Sequence, residues 1–320
     1  MTVTATRTRR RFDLATTTLT FESGGRTCRG QLYRPDRPAT PPVVVLGPTF
    51  AAEGTFGYPR YAERFARAGY AAFVFDYRGF GESEGPPMSG VARLTGDERA
   101  PTPVDPDTQV TDWHAAIDRV RRLDGERRRV VLWGFGLGGG HAVRVAANRR
   151  VDGVVAVAPM LDGRAFARAQ SIGYLARAVG AGLRDRLTAP LGRGHTIPVV
   201  GGRDEFGVLP RPTGDAYLDL IPPESDWHNE TPARGVLSLC RYRPIADAAD
   251  VTCPTFLLAA GDDALVPPGT VADAADRIDR ATYLELPVGH VDPLGAAFET
   301  AAAHQVAFLD DVLGVDRGLP

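Results

Sequence analysis

The chain has 320 residues, 43% of them apolar and 24% charged, with a formal net charge of -2. Those proportions are those of a globular protein long enough to bury one large core, or a core with a covering insertion. The near-neutral balance excludes a basic nucleic-acid footprint, and no apolar run reaches the about 18 residues of a membrane span.

Three cysteines (Cys28, Cys240, Cys253) are odd in number, widely spaced and form no C-x-x-C; they read as buried thiols in a reducing compartment. The arginine-rich start (Arg7, Arg9, Arg10, Arg11) is not followed by an apolar h-region, so the expectation is a cytoplasmic chain without a signal peptide. Abundant Arg, Ala, Gly and Asp with little Lys suggest a bacterial source of high GC content.

In chain order, residues up to about Phe12 read as frayed. Phe12–Phe21 and Thr27–Tyr33 are β-rich around Ser23-Gly24-Gly25, an antiparallel hairpin. Four prolines between Pro35 and Pro42 make a turn. Val43-Val44-Val45-Leu46 is a continuous apolar run, as in a strand buried on both faces of a parallel sheet. Tyr61–Ala68 is helical and Ala71–Asp76 a second buried strand. Pro86–Asp107 reads as a long excursion. Asp112–Leu123 is amphipathic, with Trp113, Ala116, Ile117 and Val120 on one face.

A strand from Val130, a tight glycine turn and a small-residue helix to Ala147 follow, then a strand at Val151–Ala158. Leu161–Ala249 mixes helical pieces with Pro, Gly and Trp227-His228, and is too long to be a loop. Thr255–Ala260 is a strand, Gly269–Ile278 a helix, Tyr283–Leu286 a strand and Phe298–Leu313 a closing helix. Strands alternating with helices predict an α/β fold with a mostly parallel twisted sheet and helices on both faces. The expected core is residues 1–160 with 250–320, and the expected lid is 161–249.

The glycine turn, Gly134-Phe135-Gly136-Leu137-Gly138, has the frame of the G-x-S-x-G nucleophile elbow, in which a strained turn lifts a serine hydroxyl above the sheet. Gly136 stands at the nucleophile position and has nothing with which to attack a carbonyl. Gly134-Phe135-Gly136-Leu137-Gly138-Gly139 also satisfies G-x-G-x-x-G. A dinucleotide site, however, needs an acid closing the next strand, about 20 residues on, and that strand ends Val157-Ala158-Pro159.

With Phe75-Asp76-Tyr77-Arg78-Gly79-Phe80-Gly81 after a strand, the elbow, Gly261-Asp262-Asp263-Ala264-Leu265-Val266-Pro267 and Gly289-His290 in this order, the chain resembles the α/β-hydrolase superfamily. More narrowly it is similar to the bacterial dienelactone-hydrolase and acyl-peptidase-like esterases. The resemblance covers nearly the whole chain and implies an α/β-hydrolase fold with a lid. It implies that His290 is the catalytic base and that Asp263, with Asp262 as the competing candidate, fixes the imidazole tautomer.

The resemblance further implies an oxyanion hole made by the backbone N–H of Leu137 and one from the loop after Val43–Leu46. That loop commonly begins His-Gly; here it runs Gly47-Pro48-Thr49-Phe50. Pro48 has no N–H, so the second donor falls to Thr49 or Phe50 by position. Phe50, Phe135 and Trp227 are candidates to line a substrate pocket. His141 is expected to pack or cap, His195 and His228 to lie in the lid, and His114 and His304 on helix surfaces.

Without an elbow serine, three readings stand. In the first, His290 and Asp263 perform acid/base chemistry (lyase, cyclase, isomerase or direct hydrolysis) on a small apolar carbonyl or ester compound of specialised metabolism, with no acyl-enzyme intermediate. In the second, the chain is a serine esterase inactivated by serine-to-glycine change at position 136. In the third, it is a non-catalytic binding or scaffold member of the fold. The expected partner is a small molecule, with no cofactor, metal, nucleic acid or membrane; the oligomeric state stays open, a homodimer included.

Overall fold

The computed structural model describes residues 14–35, 40–85, 101–125, 127–191, 193–202, 206–211 and 213–314. The start expected to fray, and most of the excursion expected over Pro86–Asp107, lie outside them.

Two strands, β1 (Leu14–Ser23) and β2 (Arg26–Pro35), form an antiparallel hairpin whose turn is made by Gly24 and Gly25. Then come β3 (Val43–Gly47), α1 (Tyr58–Arg67), β4 (Ala71–Phe75) and α2 (Pro106–Arg121). The elbow joins β5 (Val130–Phe135) to α3 (Leu137–Asn148), and β6 (Gly153–Val157) follows.

Between β6 and the next long strand lie α4 (Gly163–Ala169), α5 (Ile172–Thr188), the two-residue β7 (Thr196–Ile197), α6 (Thr213–Leu218), β8 (Thr231–Pro232) and α7 (Arg234–Leu239). The chain closes with β9 (Thr255–Ala260), α8 (Pro268–Ala275), β10 (Ala281–Leu286) and α9 (Phe298–Leu313).

Eight strands form one sheet in the order β1-β2-β4-β3-β5-β6-β9-β10. β1, β2 and β4 pair antiparallel, and the other neighbours pair parallel. Every residue of β3, β4, β5, β6 and β9 is buried, as their continuous apolar runs require. Each fully buried Val, Leu or Phe contributes about 1.5–3 kcal/mol. The edge strand β10 instead mixes exposed and half-buried residues and buries none fully. Small β7 and β8 pair with each other apart from the main sheet.

The helix expected from Asp112 begins six positions earlier, inside the expected excursion. The Asp105 carboxylate caps it by accepting the Thr108 N–H at 2.8 Å, and Pro106 occupies the first turn, where no N–H is missed. α1 likewise begins at Tyr58 rather than Tyr61, after Gly57 in a left-handed conformation. The strand expected from Val151 begins at Gly153.

Outside the sheet, α5 carries Ile172, Val179, Leu183 and Leu187 exposed on its surface, with Leu191 just beyond. No helix among the described residues is long and apolar enough to cross a membrane.

Candidate active site

The elbow sits at the carboxyl end of β5, in the middle of the sheet. Strand and helix pass so closely that a β-carbon on Gly134 would strike the Gly138 carbonyl, and one on Gly138 would strike the Gly47 carbonyl oxygen. Gly136 itself has φ 56° and ψ -120°, a backbone state that costs a residue with a β-carbon about 1–3 kcal/mol. Its N–H is donated to the Val157 oxygen at 3.0 Å, and its carbonyl accepts the Met160 N–H at 2.9 Å. The turn is thus tied to the end of β6.

Two loops at the same edge bring Asp263 and His290 together. Asp263 follows β9, and its Oδ1 accepts the N–H groups of Leu265 and Val266 at 2.7 and 2.8 Å. Those bonds aim Oδ2 at His290 Nδ1, 2.6 Å away. Both side chains are buried, at 1% and 8% exposure. Asp262, the competing candidate, is exposed and uses its own N–H on the Val288 oxygen.

The His290 loop after β10 is held by the Asp292 carboxylate, which accepts the Gly289 N–H at 2.8 Å. The imidazole leans on the Phe135 ring at 4.8 Å between centroids. Because a carboxylate only accepts, Nδ1 carries a hydrogen, and in the neutral ring Nε2 is then the nitrogen with the lone pair. That Nε2 lies 3.5 Å from where a β-carbon on Gly136 would stand.

The third element is the loop after β3. The Thr49 N–H was expected as an oxyanion donor, but it is donated to the Tyr58 phenol oxygen at 2.8 Å. The expectation is corrected on that ground: the donor is already spent on a buried acceptor. Instead the Thr49 side chain enters the site. Its Oγ1 accepts the Leu137 N–H at 3.1 Å, so the Leu137 donor faces a hydroxyl of the chain itself. The same Oγ1 would lie well inside 3.0 Å of a β-carbon on Gly136. Of the two residues offered for the second donor, Phe50 is the one left, and no hydrogen bond among the described residues engages its N–H.

The segment between β6 and β9 holds this loop from above. Tyr217 donates its hydroxyl to the Phe50 oxygen at 3.0 Å, and Trp227 donates Nε1–H to the Ala51 oxygen at 2.9 Å. Ala51 has φ 53°, a left-handed state uncommon for alanine. Phe56, Tyr217 and Trp227 pack edge-on or tilted in one aromatic cluster beside it. Phe50 and Phe135 are buried and Trp227 is half-buried. Tyr58 and Tyr217 carry no motif; only their polar tips, meeting the Thr49 amide and the Phe50 carbonyl, reveal their part.

His141 is fully buried behind the elbow, between the Tyr242 hydroxyl at 2.6 Å and Gln109 Oε1 at 3.0 Å. Burial pushes its pKa down to about 3. The three thiols are free; burial pushes Cys28 up to about 12, far from a reactive range. A surface cleft bordered by Arg149, Asp152, Asp250 and Arg280 lies at the amino-terminal ends of β6 and β9, the opposite edge from His290. Among the described residues no three His, Cys, Asp or Glu side chains gather as a metal site.

This arrangement, an elbow flanked by a carboxylate–imidazole pair at the carboxyl edge of a mostly parallel eight-stranded sheet, is that of an α/β hydrolase. Residues 51–286 match the family described as serine aminopeptidase, S33, and the chain belongs to that family. It is 30% identical over 300 residues to the quorum-quenching protein AidA of Acinetobacter baumannii (strain MDR-ZJ06), covering 92% of this chain and 94% of that one. It is 27% identical over 306 residues to the thiohydrolase aneE of Aspergillus aculeatus, covering 90% and 91%. Among solved structures, the α/β hydrolase GrgF from Penicillium sp. sh18 superposes with a TM-score of 0.75 over 94% of this chain and 99% of that one, at 18% identity.

Proposed function

We propose that this chain is an enzyme that acts on a small apolar carbonyl, ester or thioester compound of specialised metabolism, with His290 and Asp263 as its acid–base pair and no attack from position 136. The single observation that carries the reading is the 2.6 Å bond between Asp263 Oδ2 and His290 Nδ1. It leaves Nε2 as a base pointed at the place where an elbow side chain would be. A chain that only bound ligands would have no use for a buried carboxylate aimed by two backbone N–H groups at an imidazole.

Within this reading, residues 161–249 act as the lid, and Phe50, Phe135 and Trp227 form the apolar wall of the pocket. Phe50 supplies the N–H group left for a developing oxyanion, the Leu137 N–H being held on Thr49 Oγ1. The thioester class is drawn from the thiohydrolase relative, and a small signalling compound as substrate from the quorum-quenching one. The packing speaks against simple inactivation of a serine esterase: loss of a serine alone would leave a void, whereas Thr49 Oγ1 reaches into that space.

The test is turnover of a panel of acyl thioesters, aryl esters and lactones by the intact chain and by His290→Ala. Turnover of at least one class that falls by roughly 100-fold or more in the variant is the expected result. Equal rates in both proteins, or none in either across the panel, would overturn the reading.

A further inference from the structure

We propose that the nucleophile has moved from the elbow to the loop after β3, and that Thr49 Oγ1 is the atom His290 activates. The inference rests on the acid–base reading of His290 and deepens it by naming the hydroxyl on which the base works.

Three observations converge on one point in the site. A β-carbon on Gly136 would collide with Thr49 Oγ1 and would stand 3.5 Å from His290 Nε2, so the hydroxyl and the base border the same small volume. Leu137 N–H is donated to Oγ1 at 3.1 Å. That bond uses a lone pair of the hydroxyl and leaves its proton to donate. Thr49 is buried, and its backbone is fixed by the bond from its N–H to Tyr58. The hydroxyl therefore sits on a held residue, as a nucleophile must. Valine would fill the same volume but would leave the buried Leu137 N–H without its acceptor.

The chemistry balances without a further group. Nε2 takes the proton from Oγ1 as Oγ1 bonds to the substrate carbonyl carbon, and the carbonyl π pair moves onto its oxygen. When that pair returns, the bond to the leaving alkoxide or thiolate breaks. The leaving group departs with the proton held on Nε2, and an acyl-threonine ester remains. Water then attacks the ester carbon, giving its proton to Nε2. The acid is released as Oγ1 recovers that proton. On this proposal the acyl group is carried by Thr49 and position 136 takes no part in the covalent step.

The test uses an alkyl fluorophosphonate, which a base-activated hydroxyl attacks at phosphorus with loss of fluoride. The intact chain, Thr49→Val, Thr49→Ser and His290→Ala are each treated, and the site of modification is read by tandem mass spectrometry. Expected is one phosphonyl group on the peptide containing Thr49, kept in Thr49→Ser and absent from Thr49→Val and His290→Ala. Thioester turnover should fall roughly 100-fold or more in Thr49→Val and survive in Thr49→Ser.

No label on the intact chain, a label on another residue, or equal labelling of Thr49→Val overturns the proposal. Turnover lost in His290→Ala but kept in Thr49→Val overturns it while leaving the acid–base reading in place. Turnover kept in both variants removes both.

Discussion

Thr49 Oγ1 occupies the space into which any side chain on Gly136 would project, and accepts the Leu137 N–H at 3.1 Å from there. The two positions are sterically exclusive: a side chain on one demands its absence, or its rotation, on the other.

This exclusion predicts the behaviour of an elbow serine put back into the site. Gly136→Ser alone should lose stability by about 1–3 kcal/mol, because the β-carbon adopts a disfavoured φ, and Thr49 must turn away to admit it. It should label poorly with a fluorophosphonate at position 136. The double variant Gly136→Ser/Thr49→Gly removes the collision, and its elbow hydroxyl should be labelled at least ten times faster than that of the single variant, on the order expected for a base-assisted step. Equal rates in the two would show that the Thr49 side chain does not obstruct the elbow.

Asp263→Asn tests how the imidazole is held. The asparagine oxygen can keep the bonds from Leu265 and Val266, but its NH2 then faces Nδ1 in place of Oδ2. The ring must accept there and carry its hydrogen on Nε2, the wrong nitrogen for a base. Turnover should fall by roughly 10³–10⁴-fold, while the thermal midpoint moves little. A fall in midpoint matching the fall in rate would make Asp263 a purely structural residue.

His141 is predicted to stay neutral throughout the working range. Gln109 Oε1 can only accept, so Nε2–H is donated to it, and Nδ1 accepts the Tyr242 hydroxyl. Its pKa, pushed down to about 3 by burial and by the nearby Arg144, lies below the unfolded value. The fold therefore loses stability as pH falls from about 6.5 towards 3, when only the unfolded chain takes the proton. Nitrogen NMR should report the neutral Nε2–H tautomer at pH 5. His141→Leu should cost about 3 kcal/mol by leaving two buried polar partners unpaired, measured by urea unfolding.

Much of this was legible in the sequence, for identifiable reasons. β3, β5 and β9 are buried on both faces and so are written in continuous apolar runs. Asp263 and His290 stand in short motifs at strand ends, and the D-x-x-V-P turn is the geometry that bonds Oδ1 to Leu265 and Val266. The start of α2 carried its own signal in Asp105-Pro106, a cap followed by a first-turn proline, and was hidden by a composition rich in turn residues. Thr49 was different in kind. Its sequence position selects it for a backbone donor, and only the meeting of Tyr58, Leu137 and the empty Gly136 turns its N–H away and its hydroxyl inward. No periodicity records contacts between residues that distant in the chain, and the same holds for Tyr217 and Trp227 on Phe50 and Ala51.

Asp76 gives the last prediction, because it lies beneath the same loop. Its Oδ1 accepts the Gly54 N–H at 2.6 Å, which fixes the chain between Thr49 and α1. Burial pushes its pKa up to about 7, reinforced by Glu53 and Glu82 and opposed by the bond from Gly54. A carboxyl whose folded pKa exceeds the unfolded 3.8 holds its proton more tightly in the fold. Its contribution is therefore full below about pH 4, declines as pH rises towards 7, and is flat above it. Asp76→Asn cannot titrate. Whatever constant offset it introduces, the difference in unfolding free energy between variant and parent should move in the variant's favour from pH 4 to 7 and then level. Urea unfolding of both proteins at half-unit pH steps measures it, and a difference that stays constant across that window would place the Asp76 pKa at its ordinary value.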